Sequence, residues 1–155
     1  MRLETQRKKP IVEKVVNIVS HRKRTTKEFR LNAQVGEFDI NNIVLDLGSD
    51  VNVLPKRIWK MMGRPKIVWS PIQLRMVNQQ KIIPFGRLES VPIDIEGVRS
   101  TAVFEVIEIV DDSNAYPTLS NLEWEFENLS IVNLKKRQLV FEQGYLKVIS
   151  PLDPR

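Results

Sequence analysis

From Phe29 onward the chain alternates short apolar runs with Gly, Pro and Asn breaks, the pattern of a mainly β domain rather than of long helices. Val91, Ile93 and Ile95 alternate with other residues up to Glu96-Gly97, and Val103-Phe104, Val106-Ile107 and Ile109 resume beyond it, which predicts two strands joined by a tight turn. Gly36 marks a similar turn. A second hairpin is expected from about Gln73 to Phe85, with the polar tip Asn78-Gln79-Gln80. Helix is predicted in short pieces only, from Lys56 to Met62 after Pro55 and around Leu122 to Asn128. Pro151-Leu152-Asp153-Pro154-Arg155 should be irregular, because proline removes donors and fixes the backbone.

Residues 1–28 follow a different pattern, dense in charge and interrupted by one apolar patch from Ile11-Val12 to Val19. Val12, Val15, Val16 and Val19 fall at helical spacing, but their β-branching favours strand, so the element stays open. The expected organisation is a basic linker over 1–28, a domain over 29–144 and a C-terminal tail over 145–155.

Composition narrows the chemistry. The chain has 155 residues, enough for one domain with a core of ordinary size at 42% apolar content. It has no cysteine, which excludes disulfides, thiolate metal sites and cysteine nucleophiles. His21 is the only histidine and lies in the charged run His21-Arg22-Lys23-Arg24, a poor setting for a preorganised base, so a Ser-His-Asp hydrolase and a histidine-rich metal site are disfavoured. No run reaches the roughly 20 apolar residues that a membrane helix needs, and the first residues lack the order of a secretory signal. An intracellular, cytoplasmic chain with no membrane partner is the expectation. The net charge of +5 is concentrated toward the N-terminus, so residues 1–28 are candidates for weak nucleic-acid contact, although no aromatic side chains interleave there for base stacking.

The strongest chemical candidate is Ile43-Val44-Leu45-Asp46-Leu47-Gly48-Ser49. An acid between a buried apolar strand and a glycine turn holds a carboxylate at a strand end with backbone N–H groups nearby. Asp46 is therefore the candidate catalytic residue; the competing explanation is an Asp that starts an ordinary turn. Elsewhere, Asp111-Asp112 fits a loop before Tyr116-Pro117, and Trp59, Trp69 and Trp124 fit core or interface packing. Glu123, Glu125 and Glu127 alternate around Trp124 and Phe126 as the solvated side of a short element.

Together these residues resemble the retropepsin-like aspartic protease domain of plant gypsy-type LTR retrotransposon polyproteins. The likeness covers about Thr26 to Pro154 and runs through Asp46-Leu47-Gly48-Ser49-Asp50-Val51-Asn52-Val53-Leu54-Pro55, Trp59, Pro71-Ile72-Gln73-Leu74-Arg75 and Gly86-Arg87-Leu88. It continues through Phe104-Glu105-Val106-Ile107, Tyr116-Pro117, Trp124 and Asn133-Leu134-Lys135-Lys136-Arg137-Gln138. Each element is weak alone; their order and spacing are specific.

The resemblance implies a closed β-barrel acid-protease fold with one or two short helices, acting as a homodimer in which each chain contributes one catalytic Asp, here Asp46. It implies a peptide or polyprotein substrate, no metal or cofactor, and a cytoplasmic setting inside particles of the element. It places Leu47, Gly48 and Ser49 in the active-site loop, with Ser49 beside Asp46 and donating to its outer oxygen. Val77, Asn78, Gln79 and Gln80 become the flap over substrate, and Leu119, Ser120 and Asn121 the support beneath the loop.

Two positions depart from the family pattern. Leu47 stands where a Thr or Ser hydroxyl would link the two active-site loops, and Asn121 stands where the family has Gly. Ser120 also puts a hydroxyl into an apolar layer, at a cost of roughly 1–3 kcal/mol if it finds no partner. These departures motivate the alternative of a catalytically inactive retropepsin-like module that dimerises or binds peptide.

Overall fold

The computed structural model describes residues 12–16, 29–46, 48–76, 79–108, 115–120 and 122–152, without the side chains of Val16, Glu123, Trp124 and Gln143. Period-two burial becomes strand where the sequence predicts it. Strand β2 (Phe29–Val35) buries Leu31, Ala33 and Val35 while exposing Asn32 and Gln34, then turns at Gly36 into β3 (Phe38–Leu45). Gly36 has φ +61, a left-handed conformation that costs glycine little. The Gly97 hairpin forms as expected: β7 (Gly86–Ile95) pairs antiparallel with β8 (Val98–Ile107), with Ile95 opposite Val98. Phe104, Glu105, Val106 and Ile107 at the end of β8 are all buried, which marks a strand covered on both faces.

With β4 (Asn52–Pro55) and the two-residue β9 (Thr118–Leu119), these strands close a barrel in the order β2-β3-β9-β4-β8-β7. Strand β9 lies between β3, to which it is parallel, and β4, to which it is antiparallel, and β4 also pairs parallel with β8. The loop from β3 to β4 must therefore cross over the end of β9, and that loop carries Asp46. Closure removes the exposed sheet edges that invite aggregation. Leu31, Val35, Ile43, Leu54, Ile95, Phe104, Val106 and Leu119 fill the interior, each almost wholly removed from water. At about 1.5–3 kcal/mol per large side chain, this burial dominates the stability of the barrel.

Helix follows β4 over Lys56–Met61, burying Ile58 and Trp59, and ends before Gly63 with φ +87. The indole of Trp59 donates to the Pro65 carbonyl at 2.8 Å, so the buried ring keeps its polar atom satisfied. The second helix spans Leu122–Glu125 and buries Leu122.

Two parts of the chain differ from the sequence expectation. Residues 146–151 are not tail: β10 (Leu129–Asn133), β11 (Gln138–Gln143) and β12 (Leu146–Pro151) form an antiparallel sheet, and Leu152 is buried beyond it. Gly144 at φ +57 makes the turn that lets β12 return along β11, whose Leu139 and Phe141 belong to the main core. Within the expected linker, β1 (Val12–Val16) is a strand, parallel to β5 (Ile72–Met76). Its β-branched residues fit a pleated partner better than a helix, and the partner decides between the two. Strand β5 also pairs with β6 (Lys81–Ile82), giving the hairpin expected between Gln73 and Phe85. The rest of residues 1–28, Ile109, Asp111-Asp112 and residues 153–155 lie outside the described residues.

Candidate active site

Asp46 ends the apolar run of β3, and the chain reverses immediately after it. Its backbone N–H donates to the Leu119 carbonyl at 2.9 Å, which fixes the start of the loop on the buried strand β9. Its side chain is half-buried and accepts two bonds: the Gly48 N–H donates to Oδ1 at 2.9 Å, and Ser49 Oγ donates to Oδ2 at 2.7 Å. A Cβ at Gly48 would approach Oδ1 at 3.4 Å, so glycine gives the backbone close access to the carboxylate. Donors on both oxygens hold the plane of the group. Ser49 thus lies beside Asp46 and donates to its Oδ2. Leu47 lies outside the described residues.

Beneath the loop, Leu119 is fully buried and Ser120 nearly so. The Ser120 hydroxyl is not left without a partner. Asn52 Oδ1 accepts both the Ser120 N–H at 2.7 Å and Ser120 Oγ at 3.2 Å. The Asn52 amide nitrogen in turn donates to the Val103 carbonyl at 3.0 Å and to Glu125 Oε2. One buried amide thereby ties β4, β8, the end of β9 and the Leu122–Glu125 helix together, and it removes the desolvation cost anticipated for Ser120. Asn121 lies outside the described residues.

Asn52 was not singled out by sequence, yet its signal was present: a lone amide in Val51-Asn52-Val53-Leu54 has to find partners if the strand is buried. Glu125 corrects another expectation. Instead of facing solvent it is half-buried, with Oε1 lacking any hydrogen-bond partner. Desolvation raises its pKa from 4.5 to about 7, against the opposing effect of the Asn52 hydrogen bond. The short helix turns this side chain inward toward a cavity of about 320 Å³ that Asn52, Arg87, Glu105 and Glu125 line. There the buried Glu105 accepts from Arg87 Nε at 2.7 Å.

The flap expectation falls on the β5–β6 hairpin. Gln79 stands at φ +73, its N–H donating to the Met76 carbonyl at 2.9 Å, and the Met76 N–H donates to the Gln80 carbonyl at 2.8 Å. Both glutamines are exposed, and Arg75 Nη1 reaches Gln79 Oε1 at 3.4 Å. Val77 and Asn78 lie outside the described residues. Ile72 and Leu74 anchor the hairpin on Val53 and Ile107 of the barrel. A third element meets this region. The Val15 backbone of β1 makes two bonds with Asp50, its N–H donating to the side-chain Oδ2 at 2.9 Å and its carbonyl accepting the Asp50 N–H at 2.8 Å.

No protein-family model matches this sequence, and no curated protein matches it. Among solved structures it is similar to the retroviral protease-like domain of Ddi1 from Leishmania major. The match has a TM-score of 0.55 at 17% identity and covers 84% of this chain and 97% of that one. The mainly β architecture, the closed six-stranded barrel and this neighbour give the chain a retropepsin-like fold.

Proposed function

We propose that the chain is an aspartic endopeptidase that works as a homodimer, with Asp46 from each protomer forming the catalytic pair. The observation that carries this reading is the preset carboxylate: Asp46 at a barrel strand end, its two oxygens accepting from Gly48 N–H and Ser49 Oγ over the Leu119 support. Two such carboxylates at a two-fold axis cannot both ionise comfortably, so they share one proton, as aspartic proteases do. The ionised member takes a proton from the attacking water while the protonated member donates to the peptide carbonyl oxygen. The tetrahedral intermediate then collapses with proton transfer to the leaving amine. The β5–β6 hairpin covers the substrate and excludes water. The resemblance to plant retrotransposon proteases makes an element-encoded polyprotein the natural substrate.

The test is proteolysis of a broad peptide mixture by the full chain from about pH 4 to 7, followed by mass spectrometry, at several protein concentrations. Cleavage is expected with specific activity that rises with concentration, and the Asp46→Asn variant should fall to background with its fold intact. A folded dimer that cuts nothing, or an Asp46→Asn variant as active as the parent, would overturn the reading.

A further inference from the structure

Strand β1 is bracketed between two elements of the candidate site. Along an extended chain, successive residues direct their N–H and C=O groups to opposite edges. Val12 donates its N–H to the Pro71 carbonyl at 3.4 Å, so it addresses the β5 edge, and the parallel register from Val12↔Ile72 to Val16↔Met76 continues that pairing toward the hairpin tip. Val15 has the opposite parity and addresses the other edge. There Asp50, in the same loop as Asp46, both donates to it and accepts from it. An extended segment thus lies with the expected flap on one side and the active-site loop on the other.

What holds β1 there is backbone pairing rather than core packing. Among the described β1 side chains, Val12 to Val15, none belongs to either apolar cluster, and Val12 is 42% exposed. Its side-chain ties are the exposed ion pairs of Glu13 with Arg75 at 3.4 Å and Lys81 at 3.6 Å, which contribute little in water. Main-chain bonding with few buried side chains is how an added strand is recognised at a sheet edge.

Resting on the peptidase reading, we propose that Val12–Val16 is a tethered occupant of the peptide groove, so that the chain's own N-terminal strand fills the slot between β5 and Asp50 that an extended peptide substrate enters. A segment joined to its site through a short linker acts at an effective concentration of about millimolar, enough to exclude a peptide supplied at micromolar level. The full chain then cuts slowly, because β1 competes for the groove without abolishing turnover, and peptides with β-branched residues in extended form are the chemistry that displaces it.

The experiment measures binding of a fluorescent synthetic peptide with the sequence of residues 10–19 to the full chain, all variants carrying Asp46→Asn so that the probe stays uncut. Val15→Pro removes the N–H that reaches Asp50, Val12→Pro removes the one that reaches Pro71, and Val15→Ala keeps both. Each proline variant is expected to bind the probe at least about tenfold more tightly than the parent, with Val15→Ala unchanged. Folded proline variants, checked by thermal melting, that bind no better than the parent would overturn the proposal. The same substitutions with Asp46 restored separate the two readings. Turnover that the prolines leave unchanged, with no gain in binding, removes self-occupancy and keeps the peptidase. A gain in binding without turnover in any variant keeps self-occupancy and removes the peptidase.

Discussion

At the scale of single residues, Asn52 carries more of the site's geometry than any group that touches Asp46. Its oxygen accepts from the Ser120 N–H and hydroxyl, and its nitrogen donates to Val103 and Glu125. Asn52→Ala strands a buried N–H, a hydroxyl and a carboxyl at once, so the expected loss is at or above the upper end of about 1–3 kcal/mol, seen as a lower denaturant midpoint. Ser120→Ala should cost less, because Asn52 Oδ1 keeps the Ser120 N–H as a donor. An Asn52→Ala loss no larger than that of Ser120→Ala would show that the amide is not the hub of this network.

At the scale of elements, the β7 start shows how tightly the strands are set against what covers them. A Cβ at Gly86 would lie 2.5 Å from Ile67 Cδ1, with Cγ1 and Cβ of Ile67 at 3.0 and 3.1 Å. Gly86→Ala must push the whole Ile67 side chain aside, and a destabilisation of about 1–3 kcal/mol is expected in chemical denaturation. Val68, next to Ile67, bridges Arg87, so the same displacement should loosen that pairing.

Elements of this kind were legible where local chemistry and tertiary packing agree. The Gly97 and Gly36 turns lie between alternating residues, and the helix after Pro55 follows a rigid start. Strands β12 and β1 were not legible, because their existence depends on partners. Leu146 and Ile149 of β12 remain largely exposed, and β1 acquires its form from β5 and Asp50. The setting of Asp46 was legible, because an acid between an apolar strand and a glycine turn lies at the strand end with a backbone N–H beside it. Glu125 was not, since its inward orientation follows from a helix docked over a cavity and not from its alternation with Trp124 and Phe126.

At the scale of the whole molecule, that misjudged glutamate shapes how stability depends on pH. Folding raises the Glu125 pKa from 4.5 to about 7, so the folded chain holds this proton more tightly than the unfolded one. The contribution is fully present below pH 4.5, declines as pH rises toward about 7, and is flat above that. Partial solvent access reduces its size, so the direction is what the measurement reads. Glu125→Gln is expected to flatten the melting-temperature profile between pH 4.5 and 7. A profile in that window as steep as the parent's would place the titration on another group.

The two residues of β9 also set a schedule for the chain. Asp46 takes its backbone anchor from Leu119, about seventy residues later in the sequence. At a synthesis rate of roughly 5–20 residues per second, the Asp46 loop waits some 4–15 s after its own residues are made before its support exists. A nascent or truncated chain that stops before Thr118 has the aspartate and lacks the strand that aims it. Topology alone therefore keeps the setting of Asp46 from forming on a ribosome-bound chain before Leu119 is made.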